Sequence, residues 1–111
     1  MNWINLTDIN QLTDIDQTSI SQPIIIFKHS TRCSISCMVK DRFERHWPAD
    51  SKTENVFLLD LLNHRDISNE IAVRYQIEHQ SPQVLVIKNK QATYVANHNG
   101  ISADSTVQAL I

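Results

Sequence analysis

The stretch that most constrains this chain reads Ile24-Ile25-Ile26-Phe27-Lys28-His29-Ser30-Thr31-Arg32-Cys33-Ser34-Ile35-Ser36-Cys37. It opens as a β-branched, apolar run of the kind that fills a strand buried on both faces. Polar residues that can turn and cap follow, and a cysteine then arrives where helical spacing begins. A thiol at a helix N-terminus sits among amides without helical partners and at the positive end of the dipole, which favours thiolate over thiol. Thiolate is the form that attacks disulfides, peroxides and electrophiles. Cys33 is therefore the candidate nucleophile.

The rest of the chain alternates strand and helix signals. Residues 3–6 read as an edge strand or an anchoring segment. Thr7 reads as an N-cap, with Ile9, Leu12, Ile15 and Ile20 giving helical spacing through about Thr18. Residues 24–28 are the first strand. A helix over about 33–45 carries Ile35, Val39, Phe43 and Trp47 as an apolar stripe, with Met38 beside them. A polar connection covers 49–55, and residues 56–60 read as a second buried strand. Asp66 or Ser68 can cap a helix carrying Ile67, Ile71, Val73 and Tyr75. Residues 84–87 and 92–96 read as a hairpin around Asn89-Lys90, a turn without the glycine it would ordinarily have. A loop at 97–101 holds the only glycine, Gly100. Ser102 caps a last helix with Ala103, Val107, Leu110 and Ile111 apolar. These elements predict an α/β fold: one domain over 1–111 with a mixed four-stranded sheet, five-stranded if the N-terminal segment joins, and helices on both faces. The strand–helix–strand unit at 24–60 should be parallel, and the hairpin at 83–96 antiparallel.

Bulk properties exclude several function classes. A net charge of −2 provides no basic field for nucleic acid or an anionic membrane surface, so neither partner is expected. The longest apolar runs, 24–27 and 84–87, are far too short to span a bilayer. The start, Met1-Asn2-Trp3-Ile4-Asn5, lacks a basic segment followed by an apolar one, so a cytoplasmic location is expected. In a reducing compartment Cys33 and Cys37 would be thiols, and a close pair is more often catalytic, sensing or metal-binding than structural.

A cysteine after the first strand and Ser81-Pro82 just before the third together have the layout of the thioredoxin fold. The residues from Lys28 to Ser36 closely resemble the active-site stretch of the monothiol bacilliredoxin family, whose usual core is Cys-Pro-Ile-Ser. The resemblance extends through Asn63-His64-Arg65-Asp66-Ile67-Ser68-Asn69-Glu70-Ile71-Ala72, through His79-Gln80-Ser81-Pro82-Gln83-Val84, and to Trp3-Ile4 and Asn97-His98. It implies a single thioredoxin-like domain acting as a thiol–disulfide oxidoreductase. It also implies no bound cofactor, with bacillithiol, a small cysteine-containing thiol, as co-substrate and S-bacillithiolated proteins as clients. Cys33 would attack the bacillithiol sulfur of a mixed disulfide, and Arg32, Ser34, Ile35, Ser36, Ser81 and Pro82 would contact substrate. Two departures stand out: Ser34 replaces the usual proline, and Cys37 stands where the family generally has another residue.

Cys37 reads in two ways. At about 100° per residue it lies about 40° around the helix from Cys33, with Cα atoms about 6 Å apart, towards the upper end of disulfide geometry. It is either a resolving or sensing thiol, or a buried inert one. A dithiol reductase cycling through a Cys33–Cys37 disulfide and a non-enzymatic redox-sensing module are accordingly the alternatives. His29, Cys33, Cys37 and His46 have poor spacing for zinc, so no metal is expected. His29 either polarises Cys33 or is a surface loop residue. Lys28 and Arg32 can favour thiolate or hold a carboxylate of bacillithiol, and Lys28 reads equally as solvated charge. His64, His79 and His98 show no catalytic spacing, although the last two lie in loops that can approach the thiol. Asp60 fits a capping or site-lining role.

Overall fold

The computed structural model describes residues 1–49 and 55–111. In chain order the elements are β1 (Ile4–Asn5), α1 (Gln11–Thr18), β2 (Ile24–His29), α2 (Ser34–Arg45), β3 (Val56–Asp60), α3 (Arg65–Arg74), β4 (Gln83–Lys88), β5 (Gln91–Asn97) and α4 (Ala103–Ala109), with a 3₁₀ turn at His98–Gly100 before the last helix. The strands form one five-stranded sheet in the order β1-β3-β2-β4-β5. β1 and β2 run parallel to β3, β4 runs antiparallel to β2, and β5 antiparallel to β4. The N-terminal segment therefore does join the sheet, as a fifth strand.

β2 is central because its sequence can be buried on both faces. Phe27 pairs with Leu58 on one side and Val84 on the other. Ile24 and Ile26 face a layer containing Leu12, Ile15, Ile67 and Ile71 from α1 and α3. Ile25 and Phe27 face Val39 and Phe43 of α2 and Ala103 of α4. All four β2 side chains are at most 1% exposed, and full burial of each contributes about 1.5–3 kcal/mol. Trp3 anchors the N-terminus on the same face, with its ring 5.7 Å from Phe27 and 6.2 Å from Phe43, and its Nε1 donating to Glu44 at 2.6 Å.

Several element boundaries depart from the sequence reading. α1 starts at Gln11 rather than after Thr7, because side chains satisfy the preceding turn. Gln11 Oε1 accepts from the Thr7 and Asp8 amides, and Asp8 Oδ1 accepts from Asn10 N. Ile9 and Ile20 are exposed. On α2, Ile35 and Met38 are exposed and the buried face is Ser36, Val39 and Phe43. α3 starts at Arg65 with His64 as N-cap, two residues ahead of Asp66, and Val73 is 74% exposed. Of the connection expected at 49–55, residues 50–54 lie outside the described residues. The hairpin turn manages without glycine: Asn89 and Lys90 adopt φ of 50° and 64°, the signs a type I′ turn requires. Ser19 supports it, its carbonyl accepting from Asn89 N at 2.8 Å and its Oγ from Lys90 N at 2.9 Å. Among the described residues, no helix is long and apolar enough to cross a membrane.

Candidate active site

The strand directions bring four loops to one end of the sheet. β2 and β3 run parallel and end side by side, His29 opposite Asp60, with Leu61 N donating to His29 O at 3.1 Å. β4 starts at that same end, Gln83 pairing with Lys28 and with Asn97, the last residue of β5. The loops after β2, β3 and β5 and the loop before β4 therefore converge where the thiol emerges. Ligands in open α/β sheets bind at such carboxyl ends of parallel strands.

Cys33 is the N-cap of α2, half-buried, with extended backbone at φ −104° and ψ 119°. Its carbonyl accepts the first helical hydrogen bond from Cys37 N at 3.0 Å. The amides of the first turn have no partner within the helix. Ser34 and Ile35 are exposed beside it and Arg32 is exposed just before it. Cys37 is exposed, its thiol 3.7 Å from Thr31 O. This corrects the reading of a buried inert cysteine: Cys37 lies on the side of α2 away from Val39 and Phe43. Both cysteines are free thiols.

Ser36 is fully buried, so it acts beneath the site rather than on a substrate, contrary to its assignment as a contact residue. Its Oγ lies 2.7 Å from His29 Nδ1 and accepts from Ser30 N at 3.1 Å. One hydroxyl thus ties the first turn of α2 to the end of β2 and closes the loop that carries Cys33. His29 is 7% exposed and is therefore no surface loop residue. Burial and the nearby Lys40 charge push its pKa down, opposed by Asp60 and Glu44, so the ring is held neutral.

Lys28 is 0% exposed, which excludes the solvated-charge reading. Its alternation along β2 points it into the layer of α1 and α3. There its Nζ donates to Ser68 O and to His79 Nδ1, both at 3.2 Å. Burial pushes its pKa down to about 8. A lysine ammonium only donates, so His79 Nδ1 carries the lone pair; Ser68 Oγ lies 3.3 Å from the same nitrogen. Burial, Lys28 and Arg65 all lower the pKa of His79. The pair ties the strand leading into Cys33 to α3 and to the loop before β4.

That loop carries Ser81-Pro82, whose peptide bond is cis. Ser81 is half-buried and Pro82 buried. Pro82 O accepts from His98 N at 2.9 Å, and Gln83 Nε2 donates to Glu78 O and Asn97 Oδ1 at 3.0 and 2.9 Å. His98 acts here through its backbone. Asp60 caps the turn after β3: its carbonyl accepts from His64 N and its Oδ2 from Asn63 Nδ2. Gln83 and Asn97 entered the sequence reading within the stretches that carry the resemblance, and Ser68 there and as a possible cap, none of them as a site residue. The available signal was polarity inside otherwise apolar elements, a glutamine opening a buried strand and a serine on the buried side of a helix.

A family model described as Monothiol bacilliredoxin BrxC matches residues 4–106. Among solved structures, one provisionally described as an oxidoreductase with a thioredoxin fold is 27% identical, with a TM-score of 0.78 over 96% of this chain and 91% of that one. The thioredoxin of Malassezia sympodialis is 17% identical, with a TM-score of 0.72 over 98% and 88% of the two chains. The thioredoxin of Fasciola hepatica is 15% identical, with a TM-score of 0.70 over 96% and 98%. The two thioredoxins show the shared fold. The family match and the 27% identical structure together support a thiol redox role.

Proposed function

The chain belongs to the monothiol bacilliredoxin family, and we propose that it removes bacillithiol from protein mixed disulfides by thiol–disulfide exchange at Cys33. The Cys33 thiolate attacks the bacillithiol sulfur, a Cys33–bacillithiol disulfide forms, and the client sulfur departs as thiolate and takes a proton from solvent. A second small thiol then attacks the bacillithiol sulfur, leaving Cys33 reduced and the two small thiols joined as a disulfide. Bacillithiol is thus a co-substrate rather than a bound cofactor, and the clients are S-bacillithiolated proteins. The proposed setting is the cytoplasm, where protein thiols stay reduced.

The observation that carries this reading is Cys33 as a half-buried N-cap of α2, at the sheet end shared with the cis Ser81-Pro82 loop. An attacking thiol needs access, and Cys33 is half-buried with Ser34 and Ile35 exposed beside it. The test is turnover on a bacillithiolated reporter protein with bacillithiol as reductant. Cys33→Ser should abolish release of reduced reporter, and Cys37→Ala should retain at least half the rate. A second reading rests on the exposure of Cys37 one helical turn from Cys33: a dithiol cycle through an internal disulfide. Loss of turnover in Cys37→Ala would favour it.

A further inference from the structure

A cleft of about 310 Å³ is lined by Thr31, Arg32, Leu62, Asn63 and Arg65. One wall is the loop running into Cys33; the other is the turn after β3 and the first residue of α3. Its volume is at the small end for ligand sites, suited to a compact acid rather than a peptide. Arg32 and Arg65 are both exposed, and neither forms an ion pair with an Asp or Glu among the described residues. The four ion pairs among the described residues use Lys40, Arg45 and Arg74.

The surrounding charges reinforce this field. Arg65 and Lys28 both lower the pKa of His79, and the Lys28 ammonium lies 3.2 Å from His79 Nδ1. Of the acids nearby, Asp60 does not line the cleft, its Oδ2 accepting from Asn63 Nδ2 and its Oδ1 being buried, and Asp66 follows Arg65 without lining it. A guanidinium matches a carboxylate bidentately, and two of them match two carboxylates. Arg32 adjoins Cys33 in sequence, about 3.8 Å away between Cα atoms. The cleft wall thus runs directly into the residue that would carry a disulfide-bonded small thiol.

We propose that the Arg32–Arg65 cleft is a carboxylate subsite that selects acidic small thiols for exchange at Cys33. The proposal rests on the thiol-exchange reading and adds to it a binding residue, Arg65, and a selectivity. Leu62 supplies an apolar floor, and the Thr31 hydroxyl and Asn63 amide supply neutral hydrogen-bonding groups beside the two cations.

The test uses one reporter protein with a single cysteine, prepared as its mixed disulfide with mercaptosuccinate, with 2-mercaptoethanol or with cysteamine. The probes carry two carboxylates, no charge and one amine. The second-order rate of reporter release by the reduced protein is measured for each. The wild type should prefer mercaptosuccinate to 2-mercaptoethanol by about tenfold at low salt, with the preference shrinking as salt rises. Arg65→Gln should cut that ratio about fivefold or more, Arg65→Lys should restore part of it, and Arg45→Gln, a remote control for net charge, should leave it unchanged. Equal rates for all three probes in the wild type, or an equal fall in the ratio for Arg65→Gln and Arg45→Gln, overturn the subsite alone. Failure to reduce any probe overturns the thiol-exchange reading and the subsite with it.

Discussion

Replacing Lys28 by Met should change how stability depends on pH in a way no other single substitution here would. The ammonium is fully buried, and its pKa falls from 10.5 to about 8 on folding. Between those values the unfolded chain binds more protons than the folded one, so stability rises with pH. The burial penalty is complete below pH 8, is relieved through the window, and is gone above 10.5. At 1.36 kcal/mol per pKa unit, the wild type gains about 1 kcal/mol by pH 9 and roughly 2 to 3 kcal/mol by pH 10 from this group. The Met variant keeps the volume and loses the titration. It also loses hydrogen bonds to Ser68 O and His79 Nδ1, which shifts its whole curve, so the diagnostic quantity is the slope. Urea unfolding followed by Trp3 and Trp47 fluorescence at pH 7, 8, 9 and 10 provides the assay. Burial, Asp16 and its hydrogen bond raise the Tyr75 pKa, which makes stability fall at higher pH in both chains and sets pH 10 as the useful limit. The wild-type stability minus that of the Met variant should climb by the amounts above. Parallel curves would refute the reasoning that Lys28 is held charged at neutral pH in an unfavourable site.

Two further outcomes follow from the loop that carries the thiol. Ser36→Ala leaves His29 Nδ1 and Ser30 N without their shared partner; it should cost about 1–3 kcal/mol in unfolding free energy and slow exchange at Cys33 while leaving the cysteine alkylatable. Ser34→Pro should stabilise the chain by about 0.4–1 kcal/mol in the same unfolding assay, because Ser34 is the first residue of α2 and Cys33 already has the extended backbone a following proline requires. A destabilised proline variant would contradict this description of the helix start.

The central strand was legible because an apolar run at residues 24–27 has one physical solution, burial on both faces. The cysteine was legible because a helix signal begins at it. The thioredoxin layout followed from those two features with the proline before β4. The buried side of α2 was less legible: apolar spacing favoured Ile35, whereas the structure buries Ser36 because its hydroxyl closes the Cys33 loop. For Lys28 and His29 the sequence left a buried role and a surface role both open, because their partners, His79 and Ser36, come from other elements and tertiary pairing has no local signature. α3 began early for a related reason: the Asp60 carbonyl accepts from His64 N and holds the turn, which leaves no need for the side-chain cap expected at Asp66 or Ser68. The cleft at Arg32 and Arg65 depends on β2 and β3 ending together, a consequence of topology rather than of either loop alone.

The most direct test of the account is the intact mass of the reduced protein after brief exposure to a bacillithiolated test protein and an acid quench. Exchange at Cys33 predicts one bacillithiol adduct, mapped by digestion to Cys33, with Cys37 still a thiol. Loss of two hydrogens with no adduct would contradict a monothiol mechanism and make Cys37 the resolving thiol; an unchanged mass would contradict thiol exchange altogether.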